Sequence, residues 1–159
     1  MIFTLKTTQL LKSDTDTVWN FMSSPENLAL ITPKYMGFTI LSDKEDIKKM
    51  YPGQIIHYYV TPVMGIKMNW VTEITHVSHH QFFVDEQRSG PYKLWNHKHF
   101  LKDIPGGVQI DDTVHYSLPL GFIGDLANLL FVKKKLEDIF EYRKKRMEEI
   151  FGIYTLINA

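Results

Sequence analysis

Trp95, His97 and His99 alternate along a segment that reads as a strand, so all three side chains project to one face. Imidazoles so placed can move protons near neutral pH, line a polar patch, or supply two nitrogens to a metal. His115 on the following strand offers a third nitrogen. No carboxylate stands at a recognised ligand spacing, so neither a metal nor another cofactor is expected. Asp112 lies in that same following strand. Buried against an imidazole it would raise the histidine pKa and create an acid or base for proton transfer, which makes His97, His99 and Asp112 the catalytic candidates. Arg143 lies on or beside the apolar stripe of a late helix. There its guanidinium can grip a carboxylate or enolate oxygen of a ligand, reach solvent, or pair with Glu73 or Asp85.

The elements that must position these residues follow from periodicity. Ile2 to Lys12 alternates apolar and polar residues and reads as a strand. Ser13 or Asp14 caps a short helix over Asp16 to Met22, and Ser24-Pro25-Glu26 opens a second one that stops before Thr32-Pro33. Strands are expected at Phe38–Leu41, Gln54–Thr61, Ile66–Val77, Gln81–Gln87, Tyr92–Lys102 and Val108–Leu118. A charged loop, Asp43 to Tyr51, ends in the Pro52-Gly53 turn, and Pro62 to Gly65 joins two strands. Of the adjacent Phe82 and Phe83, one faces inward and the other an edge or the mouth of a pocket. The Gly-Pro step of Arg88–Tyr92 stiffens the turn ahead of Trp95 and frames that mouth with Tyr35 and Met36.

A last helix is expected from Phe122 to about Ile150, on the order of 40 Å long. Leu129, Val132, Leu136, Ile139, Phe140, Met147 and Ile150 recur at spacings of three and four and form one apolar stripe. Such a rod needs a large curved surface, and only the preceding strands can provide it.

With 159 residues the chain reads as one domain, 1–152, followed by a tail, 153–159. A domain of this size buries roughly 70% of its unfolded surface and needs no metal or disulfide staple. Lys+Arg and Asp+Glu both number 18, a balance that argues against nucleic acid and weakens an electrostatic role at a membrane surface. There is no cysteine, hence no disulfide, thiolate site or cysteine nucleophile. No apolar run approaches the roughly 18 residues that span a bilayer, and Met1–Asp16 lacks a leader-like pattern, so a cytoplasmic protein without membrane insertion is expected. Neither a Gly-x-Ser-x-Gly elbow nor a dinucleotide fingerprint occurs.

Gly90-Pro91-Tyr92, Trp95-x-His97-x-His99, Asp112-x-Val114-x-Tyr116, Pro119-x-Gly121 and Ile139-Phe140-x-Tyr142-Arg143 resemble a bacterial branch of the START/Bet v-type (SRPBCC) superfamily, some of whose members are labelled polyketide cyclase/dehydrase-like. The resemblance covers nearly the whole chain. It implies an α+β helix-grip fold, with a curved antiparallel sheet of about seven strands around a long C-terminal helix and two short helices after the first strand. It also implies a cavity for a hydrophobic or amphipathic small molecule, lipid-like or polyketide-like.

Two hairpin registers are open. A tight turn at Ile104–Gly107 sets His99 against Asp111. A one-residue bulge sets His99 beside Asp112, His97 beside Val114 and Trp95 beside Tyr116. The second puts the matching residues on one face and is favoured. The expected lining is Tyr92, Trp95, His97, His99, Val114, Tyr116, Leu129, Leu136, Phe140 and Arg143. Three functions remain: a binding protein, a cyclase/dehydratase in which His97 or His99 with Asp112 moves protons while Tyr116 or Arg143 holds an enolate, and a module whose partner is a protein. The first is expected, and a homodimer is compatible with it.

Overall fold

The computed structural model describes residues 1–63 and 66–155; the Pro62–Gly65 turn falls partly, and the end of the 153–159 tail wholly, outside them. Strand β1 (Phe3–Leu11) leads into helix α1 (Thr15–Met22), capped by Asp14, whose Oδ1 accepts the Thr17 N–H at 2.8 Å. Helix α2 (Pro25–Leu28) follows, with Pro25 in its first turn where no N–H is needed. The strands are β2 (Thr39–Ile40), β3 (Gln54–Val63), β4 (Ile66–Ser78), β5 (Phe82–Ser89), β6 (Leu94–Ile104) and β7 (Gly107–Ser117). All pair antiparallel in one curved sheet of order β1-β7-β6-β5-β4-β3-β2. The expected helix-grip α+β architecture is the observed one.

The β6–β7 hairpin pairs His99 with Asp112, His97 with Val114 and Trp95 with Tyr116, without a bulge. Pro105 and Gly106 alone form the loop, because Pro105 presets one torsion and Gly106 takes φ +77°. The favoured register therefore holds, but a two-residue turn produces it.

The final rod is one helix with a defect. Helix α3 (Phe122–Ala127) passes into a wide π-type turn, Asn128–Val132, and then into helix α4 (Lys133–Phe151). The wide turn rotates the face of the helix. Leu136, Ile139, Phe140 and Met147 consequently point into the sheet, while Leu129, expected on the same stripe, is 76% exposed.

The interior is not one contiguous core. Leu11, Val18, Trp19, Phe83, Val108, Ile110 and Met147 pack at the α1 end. Ile47, Ile56, Tyr58, Val60, Trp70 and Ile74 form a second cluster, and Val114, Tyr116, Leu136 and Phe140 a third. A domain of this size ordinarily has one main cluster. Here the three surround a hollow.

Candidate functional site

The hollow is a cavity of about 500 Å³ between the sheet and α4. Ile56, Tyr58, Trp70 and Ile74 of the sheet line it, with Met36 from the short 3-10 turn Lys34–Met36 and Leu136, Ile139 and Phe140 from α4. Trp70 stacks on Tyr58 at 5.9 Å and meets Trp95 edge-on at 5.3 Å. Tyr92 packs on Trp95 at 4.8 Å. Gln87 positions Tyr92, since its Nε2 donates to the Tyr92 carbonyl at 2.6 Å and its Oε1 accepts the Tyr92 N–H at 3.2 Å.

Into this apolar wall the sheet brings four polar side chains from three strands. His97 and His99 of β6 stand side by side, ring centres 3.8 Å apart, each under a tenth exposed. Asp112 of β7 and Asp85 of β5 flank them. His97 Nε2 is 3.1 Å from Asp112 Oδ1, and His99 Nε2 is 3.0 Å from Asp85 Oδ2. His99 Nδ1 approaches Asp112 Oδ1 to 2.7 Å but is out of line for a hydrogen bond, so that contact acts through charge. Phe83 stacks on the His99 ring at 4.1 Å, which restricts its rotation.

Arg143 completes the set from α4. Its Nε is buried, and it does not pair with Glu73, which Arg88 holds at 2.5 Å. Among the described residues no carboxylate lies within 4.0 Å of its guanidinium, and its Nε has no acceptor. The group sits 5.1 Å from the Phe140 ring and lines the cavity.

The charges adjust to burial. Burial alone would raise both carboxyl pKa values, but His99 and His97 outweigh it and hold Asp112 and Asp85 ionised. For His99, burial pulls the other way, yet Asp112 and Asp85 push its pKa up to about 8. Burial, then the charge on His99, lowers that of His97 despite its bond to Asp112. Burial also lowers Arg143, although a guanidinium keeps its proton at any ordinary pH. At neutral pH two carboxylates thus face one guanidinium and one imidazolium, and the set is electrically balanced. Asp85, His97 and His99 also present one donor atom each within 4.8 Å of one another, a spacing a divalent ion could bridge.

Of the expected lining, Tyr92, Trp95, His97, His99, Leu136, Phe140 and Arg143 surround the cavity, and Asp112 joins them. Three expected positions lie elsewhere. Val114 is wholly buried behind the cavity wall against Leu136 and Phe140. Tyr116 is also buried there, outside the cavity lining, and its hydroxyl donates to Asn128 Oδ1 at 2.9 Å. Leu129 is turned outward by the π-type turn. His115 has the opposite strand parity to Asp112 and faces away, so the third donor beside the histidines is Asp85. Sequence reasoning weighed Asp85 only as an Arg143 partner and passed over Tyr58 and Trp70. Parity carried the missing signal: Asp85 shares a face with buried Phe83, and Trp70 with buried Ile74.

This architecture, a sheet gripping a C-terminal helix around a hollow, is the START/Bet v-type fold. No protein-family model and no curated protein matches the sequence. Solved structures do match in shape. A Chromobacterium violaceum protein aligns at TM-score 0.70 and 12% identity, covering 96% of this chain and 99% of its own. A START superfamily protein from Mycobacterium smegmatis aligns at 0.65 and 13%, covering 92% and 98%. The major latex-like protein 151 of Panax ginseng aligns at 0.64 and 11%, covering 94% and 97%. At such identities the likeness establishes the fold.

Proposed function

We propose that the chain binds one hydrophobic or amphipathic small molecule, lipid-like or polyketide-like, in the cavity between sheet and α4. The observation that carries this reading is a hollow of about 500 Å³ walled by Ile56, Tyr58, Trp70, Trp95, Leu136 and Phe140 with a few polar groups on one side. Ligand sites are of this size and composition, apolar with sparse convergent polar groups. Arg143, which has no carboxylate partner among the described residues, would take an oxyanion of the ligand, while the aromatic wall takes its body.

The test uses two fluorescent probes, anionic anilinonaphthalenesulfonate and neutral phenylnaphthylamine. Both should bind saturably at one per chain and quench tryptophan emission. Arg143→Met should weaken only the anionic probe, by about tenfold. Absence of saturable quenching by either probe would refute a binding cavity.

A second reading has one specific support, the His97–His99–Asp112–Asp85 cluster opening onto the same cavity. In an acid–base enzyme of the cyclase/dehydratase kind, His99 near pKa 8 would supply the proton and Arg143 would hold the enolate. His99→Ala, and His97→Ala beside it, with unchanged melting temperature should then abolish turnover of an aromatic polyketone. Intact turnover would remove the proton-transfer role.

A further inference from the structure

The segment Leu118–Val132 is inside out. Its buried positions are small or polar: Gly124, where a Cβ would lie 2.1 Å from the Pro119 carbonyl, and Asn128, held by the Tyr116 hydroxyl. Its exposed positions are large and apolar. Leu120, Phe122, Ile123, Leu129, Leu130 and Phe131 are between 59% and 80% exposed. Surface helices in water carry the opposite pattern, and a contiguous apolar surface of this kind marks a contact.

We infer that this segment docks on an anionic lipid bilayer surface. Three features favour a bilayer over another protein. Neighbours such as Phe122 and Ile123, or Leu129, Leu130 and Phe131, point about 100° apart around a helix, so the apolar surface spreads over a wide arc. A partner helix or groove would take a narrow stripe, whereas fluid acyl chains accept the whole arc. Lys133, Lys134 and Lys135 follow at once, against a single acid, Asp125, between residues 118 and 135. Lys133 and Lys134 are 64% and 75% exposed, and their partners Glu137 and Asp138 form only surface pairs that leave the ammonium groups open to phosphates. Lys135 lies over the ring of half-exposed Tyr35 at 4.1 Å, an aromatic–cation pair of the sort that sits at headgroup depth. The formal charge of zero thus conceals a local cationic rim beside an apolar one.

The mode is interfacial. Among the described residues no helix is long and apolar enough to cross a membrane, and a segment this short rests in the plane of the surface. Val132, Lys135 and Leu136 also line the cavity, so docking would set this part of its wall next to the lipid. That consequence rests on the binding reading; the docking itself does not.

The test is flotation of the intact chain with vesicles of phosphatidylcholine alone and with about one-third phosphatidylglycerol. The wild type should float with the anionic vesicles, less with neutral ones, and less again at raised salt. Phe122→Ser/Leu129→Ser/Phe131→Ser should cut binding by about tenfold or more while leaving the melting temperature and the phenylnaphthylamine titration unchanged. Lys133→Glu/Lys134→Glu should abolish the preference for anionic vesicles. No flotation with either vesicle would overturn the inference, as would wild-type flotation by the triple serine variant. A dimer in sedimentation that the same variant dissolves, without vesicle binding, would assign the surface to a second copy instead.

Discussion

His99 and Asp112 stand opposite each other on paired strands, with Nδ1 2.7 Å from Oδ1, inside the wall of an apolar cavity. A buried carboxylate and imidazole at that distance hold each other charged, because separating either charge from the other in low dielectric is costly. Asp85 on the next strand repeats the arrangement at the other ring nitrogen. The cavity wall therefore carries a proton whose pKa its neighbours set.

That proton gives the pH dependence. His99 is raised from 6.5 to about 8, so it adds stability that is fully present below pH 6.5 and is lost as pH rises through about 8. A rise of that size corresponds to on the order of 2 kcal/mol. His97, lowered, acts with the opposite sign, and its contribution falls away below pH 6.5. Urea denaturation should therefore show stability declining between pH 6.5 and 8, and histidine NMR should show one ring titrating near 8 and one below its ordinary value.

Asp112→Asn keeps the shape and removes the charge. It should bring the His99 pKa down and cost about 3–5 kcal/mol, the usual penalty for breaking a buried pair. Urea midpoints for Asp112→Asn beside Thr113→Asn, an outward neighbour, check this. Equal midpoints would mean the pair contributes little.

Tyr116 and Asn128 make an isolated buried bond of 2.9 Å across the helix defect. Tyr116→Phe should cost about 1–3 kcal/mol, since it leaves the Asn128 amide oxygen buried without a donor. Tyr116→Phe/Asn128→Leu should recover much of that loss, and a thermodynamic cycle over the two singles and the double measures it.

The helix register is testable by truncation. Leu136→Ala should cost about 2–5 kcal/mol, and Leu129→Ser should stay within about 0.5 kcal/mol, because one is buried and the other exposed. A uniform apolar stripe through both positions predicts similar losses, so comparable melting shifts would contradict the wide turn.

The strands and the gripping helix were legible because alternation and three-four spacing report which face of an element is apolar. The Pro105-Gly106 turn also carried the β6–β7 register, although its two-residue geometry was read as a bulge. Leu129 shows where periodicity stops. A 3.6-residue repeat carried through Asn128–Val132 places it inward, and only the polar Asn128 amid the apolar run Leu126–Val132 hints at a wide turn. The charge cluster was half visible. His97, His99 and Asp112 follow from hairpin pairing, but Asp85 needs the β5–β6 register, which no short turn fixes. The hollow was legible only through the family resemblance, for periodicity gives faces and not the distance between them.

The central claim is an accessible cavity between sheet and α4, and NMR titration with anilinonaphthalenesulfonate tests it at named atoms. On the account given, the Trp70 and Trp95 indole N–H signals and the Arg143 Nε–H signal shift together and saturate at one probe per chain. If those three signals hold still while the backbone of Leu129–Phe131 shifts, the probe is binding outside and the cavity does not take ligands.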